Sequence, residues 1–437
     1  MKELSAINSN WMVRFQSLLK IFGLAALLAG AAFATVTSVP EKDDASRLRW
    51  NSRLIKIAIS RSLTDQNPNI KIGSDVAGAV ERSLAAWNDV NGVQIVSQDS
   101  EKFSVSPAGV SGDGISLITI ASTPENILFF NNDSTSLSAR TRVFFNRRGH
   151  ITEADIVLNP FLQFSTDGSY GTYDLEATLR HEIGHLLGLR HSSVIGSTMY
   201  DSASKNGVFQ GMPRVEALSA DDISNIRSLY GTNGSDDECC GSITGKIAVT
   251  GRRSSELSVW VQEKETGRIA SFAVVMGNRN FKIGGLRDGD YTVIAKENSK
   301  KLEFAAQDLG VVTIAGGKSA SFTARFARKP IDFSLRFLGT GGILSDSPIV
   351  VQKDGTYSLL AGGRNISSRN LQIAVDSPFI TITSNQGTDV DYADGISAFS
   401  FELKVSPETP AGDYSVYAIS ADGERDYRIG GVTVSSR

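Results

Sequence analysis

Apolar and polar residues alternate from 54 to 60, which places Ile55, Ile57 and Ile59 on one face of a strand. The period then lengthens. Val76, Val80, Leu84 and Trp87 form the stripe of an amphipathic helix, with Ser74 as its expected N-cap and Asn91-Gly92 as its end. The stretches 115–121 and 142–146 read as strands, and Arg147-Arg148-Gly149 turns the chain into 151–158 as a hairpin. A second helix is expected over 174–187, capped by Asp174 and closed by Gly188. A third, over 220–230, has Ser219 as N-cap, the stripe Ile223, Ile226, Leu229, and Gly231 as its stop. Strand, helix, strands and helices in this order predict one α/β layer domain over 50–232.

Beyond 232 the helical period is gone. Residues 233–239 have the composition of a linker. The runs 242–250, 257–263, 269–275 and 291–295 alternate like half-buried strands and predict an all-β sandwich over 240–328. Lys329-Pro330 breaks the pattern, and strands at 332–337, 370–375 and 399–405 predict a second sandwich over 329–437. Both units carry the same short element, Gly289-Asp290-Tyr291 and Gly412-Asp413-Tyr414, each expected to be a turn feeding a terminal strand.

Composition adds exclusions. The chain has 437 residues, too many for one core, with 41% apolar and 21% charged residues, so long disordered tracts are not expected. A net charge of −3 without a basic stripe argues against a nucleic-acid partner. Arg14 and Lys20 precede a short apolar run at 21–34 that ends in Ala32-Phe33-Ala34, the pattern of a secretory signal peptide over 1–34. The run is short for a retained membrane anchor, so contact with the membrane is expected only in transit. Residues 35–49 then form a linker, and the mature chain is expected to be secreted, periplasmic or associated with the cell surface. Cys239 and Cys240 are the sole cysteines. A vicinal disulfide, an intermolecular bridge and two free thiols are all compatible with their spacing.

The chemistry concentrates in one segment, His181-Glu182-Ile183-Gly184-His185-Leu186-Leu187-Gly188-Leu189-Arg190-His191. Four residues apart on a helix, His181 and His185 project in nearly the same direction and can share an ion. Gly188 lets the chain leave the helix through a left-handed turn and bring His191 back as a third ligand. Three protein ligands leave one position of a tetrahedral zinc open, which marks a catalytic site. Glu182 is placed to act as the base on a zinc-held water without being a ligand, and amide hydrolysis is the natural reaction. Leu175, Leu179, Ile183 and Leu186 fall in a different helical sector and are expected in the core.

These eleven residues, with Ser192 following and Met199-Tyr200 further on, resemble the metzincin zinc endopeptidases. Within that clan the run 153–159 and the run 218–231 are similar to the matrixins (M10-type peptidases). The resemblance implies a twisted mixed sheet with about three helices, Met199 as a turn beneath the metal, and a peptide substrate bound extended along an edge strand. It does not say which strand is the edge, although 151–158 is expected in its neighbourhood. A wall formed by Met199, Tyr200 and the residues up to Val215 would line the pocket. Calcium sites are common in such proteins, with Asp155, Asp167 and Asp174 as candidates. A second, structural zinc is not expected, because only His150 remains outside the motif and it reads as a loop residue. No cysteine precedes the domain, so a cysteine-based latency device is not expected either. Residues 240–328 look similar to carboxypeptidase regulatory-like (transthyretin-like) domains and 329–437 to immunoglobulin-like ones. These suggest docking of substrate or contact with a cell surface or matrix. The rival readings are an adhesion protein with a degenerate metal domain and a zinc hydrolase of non-protein amides.

Overall fold

The computed structural model describes residues 48–436 except 91, 108–110, 131–136, 202–204, 208–216, 233, 235–238, 252–254, 300, 386 and 393. The expected signal peptide, nearly all of the linker after it, and most of the expected pocket wall lie outside the described residues. Among the described residues no helix is long and apolar enough to cross a membrane.

The first unit is built on β1 (Arg49–Trp50), β2 (Leu54–Ser60), β3 (Gln94–Ser100), β4 (Ser116–Thr119), β5 (Ala139–Phe145) and β6 (His150–Leu158). The strand order is β3-β2-β4-β6-β5, with β1 beside the start of β6. All pairings are parallel except that of β5 with β6. β5 is therefore the antiparallel edge, and β6 (the strand expected near the edge) lies inside the sheet. Helices α1 (Arg61–Thr64), α2 (Val76–Asn88), α3 (Pro124–Leu128), α4 (Leu175–Leu186) and α5 (Ala220–Tyr230) complete the unit, with short parallel strands β7 (Phe164–Ser165) and β8 (Tyr173–Asp174) before α4.

Parallel strands need cover on both faces, and the alternation of β2 supplies it. Ile55, Ile57 and Ile59 pack with Leu84 and Trp87 of α2 and with Leu179 and Ile183 of α4. Ala58 points the other way, toward Leu117, Val157, Phe129 and Phe130. The N-cap of α2 is Asp75, not Ser74: its Oδ1 accepts from the Gly78 N–H at 3.0 Å. A carboxylate there also complements the helix dipole. The helix ends at Asn88, before the expected Asn91-Gly92.

The next unit has β9 (Cys239–Val249), β10 (Glu256–Glu263), β11 (Ile269–Met276), β12 (Asn280–Arg287), β13 (Gly289–Glu297), β14 (Glu303–Phe304), β15 (Gln307–Ile314) and β16 (Ser319–Phe326). Sheets β11-β10-β13-β15 and β12-β9-β16 close over one apolar core. The last unit contains β17 (Pro330–Ile331), β18 (Ser334–Thr340), β19 (Ile343–Ser345), β20 (Ile349–Val351), β21 (Thr356–Arg364), β22 (Leu371–Val375), β23 (Ile380–Ser384), β24 (Val390–Asp391), β25 (Ile396–Val405), β26 (Gly412–Ser420) and β27 (Arg425–Val434). Its sheets run β19-β18-β21-β25-β23 and β20-β27-β26-β22 around a second core.

The two Gly-Asp-Tyr turns feed β13 and β26, which are inner strands and not terminal ones. In each, the tyrosine anchors the corner. Tyr291 and Tyr414 are buried, and their hydroxyls donate to the carbonyls of Arg287 at 2.9 Å and Pro410 at 2.7 Å, pinning each corner to the core. Cys239 and Cys240 are bonded to each other.

Candidate metal centre

The site is assembled on α4. Asp174 caps the helix, its Oδ1 accepting from the Ala177 N–H at 2.9 Å. Leu175, Leu179, Ile183 and Leu186 are fully buried against the sheet. Gly188, at φ +95°, ends the helix in the left-handed region. A Cβ on it would lie 2.2 Å from the Leu48 carbonyl oxygen, so glycine is required twice over. The last carbonyls of the helix are covered by two aromatics. Trp50 Nε1 donates to Leu186 O at 2.8 Å and the Tyr230 hydroxyl to Leu187 O at 2.6 Å.

His181, His185 and His191 come together, with one ring nitrogen of each within 4.8 Å of the others. The Nδ1 of His181 lies 2.7 Å from Thr198 O, and that of His185 lies 2.9 Å from Leu189 O. Each carbonyl fixes the tautomer with hydrogen on Nδ1 and leaves Nε2 as a lone-pair donor. The Nε2 atoms of His185 and His191 are 3.1 Å apart, and Nε2 of His181 is buried without a hydrogen-bond partner. Burial lowers the pKa of both helical histidines, and that of His185 is depressed well below the ordinary value. Converging imidazole lone pairs suit a borderline divalent cation such as zinc, so the residues present fit a bound metal. His191 is partly exposed, with Asp201 Oδ2 3.6 Å from its Nδ1.

Glu182 is fully buried beside the triad. Its Oε2 accepts from the Thr141 hydroxyl of edge strand β5 at 2.5 Å, while Oε1 is buried without a partner. Burial pushes its pKa up to about 8, against the opposing pull of Thr141 and Arg140. A cation among the rings would draw it back down. Met199 packs under the helix. A Cβ on Gly184, between the two helical histidines, would stand 2.2 Å from Met199 Sδ and 3.0 Å from Trp87 Cζ2.

The turn carrying Met199 is tied to α5 by Asp222. Its Oδ1 accepts from Ser197 Oγ at 2.6 Å and the Met199 N–H at 3.2 Å, and its Oδ2 from the Thr198 N–H at 2.8 Å. The same carboxylate completes a capping box with Ser219. Thr141, Trp50, Tyr230 and Asp222 were not singled out from the sequence. Only Asp222 had a signal there, as the second acid of a capped helix in the 218–231 run.

The calcium candidates have other occupations and do not form one cluster among the described residues. Asp155 is buried and accepts from the Ser106 and Leu117 N–H groups, each at 3.1 Å. Asp167 pairs with Lys71 at 2.8 Å, and Asp174 is the cap already described. His150 opens β6 and is half-buried, so it is not a loop residue.

This helix, turn and mixed sheet define a class. Residues 124–231 match the Matrixin family model, and that stretch of the chain is matrixin-like. Among curated relatives, Metalloendoproteinase 4-MMP of Arabidopsis thaliana is 38% identical over 90 residues, 20% of this chain and 23% of the relative. Metalloendoproteinase 1-MMP of the same plant is 26% identical over 194 residues, 42% of this chain and 45% of the relative. The chain thus spans less than half the length of either. A solved Bacteroides ovatus glucan-utilization protein in complex with a mixed-linkage heptasaccharide overlaps 44% of this chain and 43% of its own at 14% identity, with a TM-score of 0.16 that carries no argument.

Proposed function

We propose that the chain is an exported zinc-dependent endopeptidase. The observation that carries this reading is the convergence of three histidine rings beside a buried carboxylate with one free oxygen. His181, His185 and His191 would hold the zinc, which when bound supplies Lewis acidity toward a substrate carbonyl and acidifies a neighbouring water. Glu182 takes the proton from that water at Oε1 and returns it to the leaving amine. Thr141 holds Oε2 so that the free oxygen keeps its direction. An extended peptide would pair with the outer edge of β5, which has no strand beyond it among the described residues, so that backbone hydrogen bonds set its register. Export is supported by the 1–34 pattern, and an open edge favours peptides over small amides.

Zinc content and peptide cleavage, measured on the chain beginning at Thr35 beside Glu182→Gln, test the reading. One zinc per chain with cleavage confined to the unmutated protein is expected. A chain that binds no zinc would instead support the adhesion reading.

A further inference from the structure

The seven residues between His191 and Met199 begin beside a metal ligand and end at the residue packed under α4. Their middle is buried: Val194 is 0% and Ile195 4% exposed. For Val194 that cover comes from the other two units. Val194 lies in an apolar cluster with Trp260 and Phe272 of the first sandwich and Tyr417, Tyr427 and Ile429 of the second. The Ile195 N–H donates to Ile429 O at 3.0 Å. Gly196 lies so close to the second sandwich that a Cβ on it would stand 1.9 Å from Asp413 Oδ1 and 2.8 Å from Thr433 Oγ1. Gly430, at φ +68°, would place a Cβ 2.8 Å from Val194 Cγ1. Both faces of the contact are thus stripped to glycine.

A second tether reaches the start of the same loop. Asp221 Oδ2 accepts from Ser192 Oγ at 2.6 Å, and Oδ1 accepts from the Phe272 N–H of β11 at 2.5 Å. One carboxylate therefore joins the residue after His191 to an edge strand of the first sandwich.

We propose that the two C-terminal sandwiches position the metal site: by holding Val194, Ile195 and Gly196 they set where His191 and Met199 stand, and zinc affinity is coupled to their docking. The proposal rests on the triad being a zinc site. A loop with no regular structure gives up conformational entropy to present a ligand. Here the neighbouring units fix it beforehand, so zinc does not have to order it. Coupling is reciprocal, and bound zinc must tighten the docking by the same factor that docking tightens zinc.

The test uses the full chain and zinc alone. Gly196→Ala wedges a methyl between the loop and Asp413, and the zinc dissociation constant from chelator competition is expected to rise about tenfold or more. Adding Asp413→Ala removes the nearer clash and releases Thr433 Oγ1, which Asp413 holds at 2.6 Å, to turn away from the methyl; it should recover most of the loss, which a merely local disturbance of the loop would not show. In the unmutated chain, zinc should slow amide exchange at Ile429, Gly430 and Gly431 as well as in the loop. Equal zinc affinity in Gly196→Ala, together with exchange at 429–431 that ignores zinc, overturns the coupling and leaves the peptidase reading standing. If Gly196→Ala fails to fold, the exchange experiment decides alone. A chain that binds no zinc at all sinks both.

Discussion

Gly184→Ala sets two effects of known size against each other. Alanine is favoured over glycine in a helix interior by about 1 kcal/mol, and α4 gains that wherever the methyl has space. At 184 it has none. The new Cβ would stand 2.2 Å from Met199 Sδ and 3.0 Å from Trp87 Cζ2, against an ordinary contact near 3.5–4 Å. Neither neighbour can yield freely. Trp87 is fully buried with Nε1 donating to Arg180 O at 2.9 Å, and Met199 is buried with its backbone held by Asp222. Overpacking of this kind costs about 1–3 kcal/mol, so the net change is a loss of roughly 0–2 kcal/mol. The displaced Met199 should also loosen zinc, because Thr198, whose carbonyl orients His181, is the residue before it. Gly78→Ala in α2 is the comparison. Its Cβ meets only the ends of Asp75 and Arg82, whose side chains are 60% and 48% exposed; these can swing aside, at the cost of the Asp75 cap on the Gly78 N–H, about 1 kcal/mol, so this variant should come out near neutral. Urea unfolding of both variants and zinc competition would measure the contrast. If Gly184→Ala is as stable as Gly78→Ala and binds zinc like the parent, the packing argument is wrong.

Glu182→Gln should lower peptide turnover by about 10²–10⁴-fold and leave the zinc content at one per chain; turnover within tenfold of the parent would remove Glu182 as the base. Asp222→Ala strips acceptors from three buried loop donors and breaks the capping box, for a loss on the order of 3 kcal/mol in denaturant unfolding, with weaker zinc. A change under 1 kcal/mol would mean that the Met199 turn holds itself. Asp155 gives a pH test: burial, and then the charge of Glu153, raise its pKa to about 7 from the ordinary 3.8, with Lys102 opposing. The unfolded chain releases this proton first, so its contribution weakens stability as pH rises from about 4 to 7 and then levels off. In Asp155→Asn that slope should vanish, whatever constant offset the two N–H donors impose. A difference between parent and variant that is independent of pH over this range would contradict the raised pKa.

Much of the centre was legible because helical spacing is directional. Residues 181 and 185 cannot avoid facing the same way on α4, and Gly188 is needed both for its φ and for the approach of Leu48. The element types of the first unit followed for a similar reason, since stripes such as Val80, Leu84, Trp87 have one burial solution. What failed was local ambiguity. Ser74 and Asp75 are adjacent cap residues, and only geometry shows which carboxylate or hydroxyl meets the Gly78 N–H. Long-range placement was not legible either. That Thr141 would reach Glu182 depends on β5 being the edge beside α4, which alternation within β5 cannot encode. The Gly-Asp-Tyr pattern marks a corner and not the position of the strand in its sheet, so the strands expected to be terminal are inner ones.

The pair Asp221-Asp222 shows how far a local reading can fall short. Two acids in the first turn of α5 would ordinarily be exposed partners of the helix dipole. Both are buried here, and each carboxylate takes donors from outside its helix. Burial pushes Asp221 up to about 8, with the charge of Asp222 adding to it, so this placement disfavours the ionised form. A cap on an exposed helix would not need that cost. It is intelligible if the two carboxylates serve the 192–199 loop from opposite sides: Asp222 fixes the Met199 end within the first unit, and Asp221 ties the Ser192 end to β11. On that view α5 is the joint through which a sandwich remote in sequence bears on His191. The first unit's independence then becomes a question of loop order at the histidine triad, which zinc affinity can measure even in a chain whose global stability is unchanged.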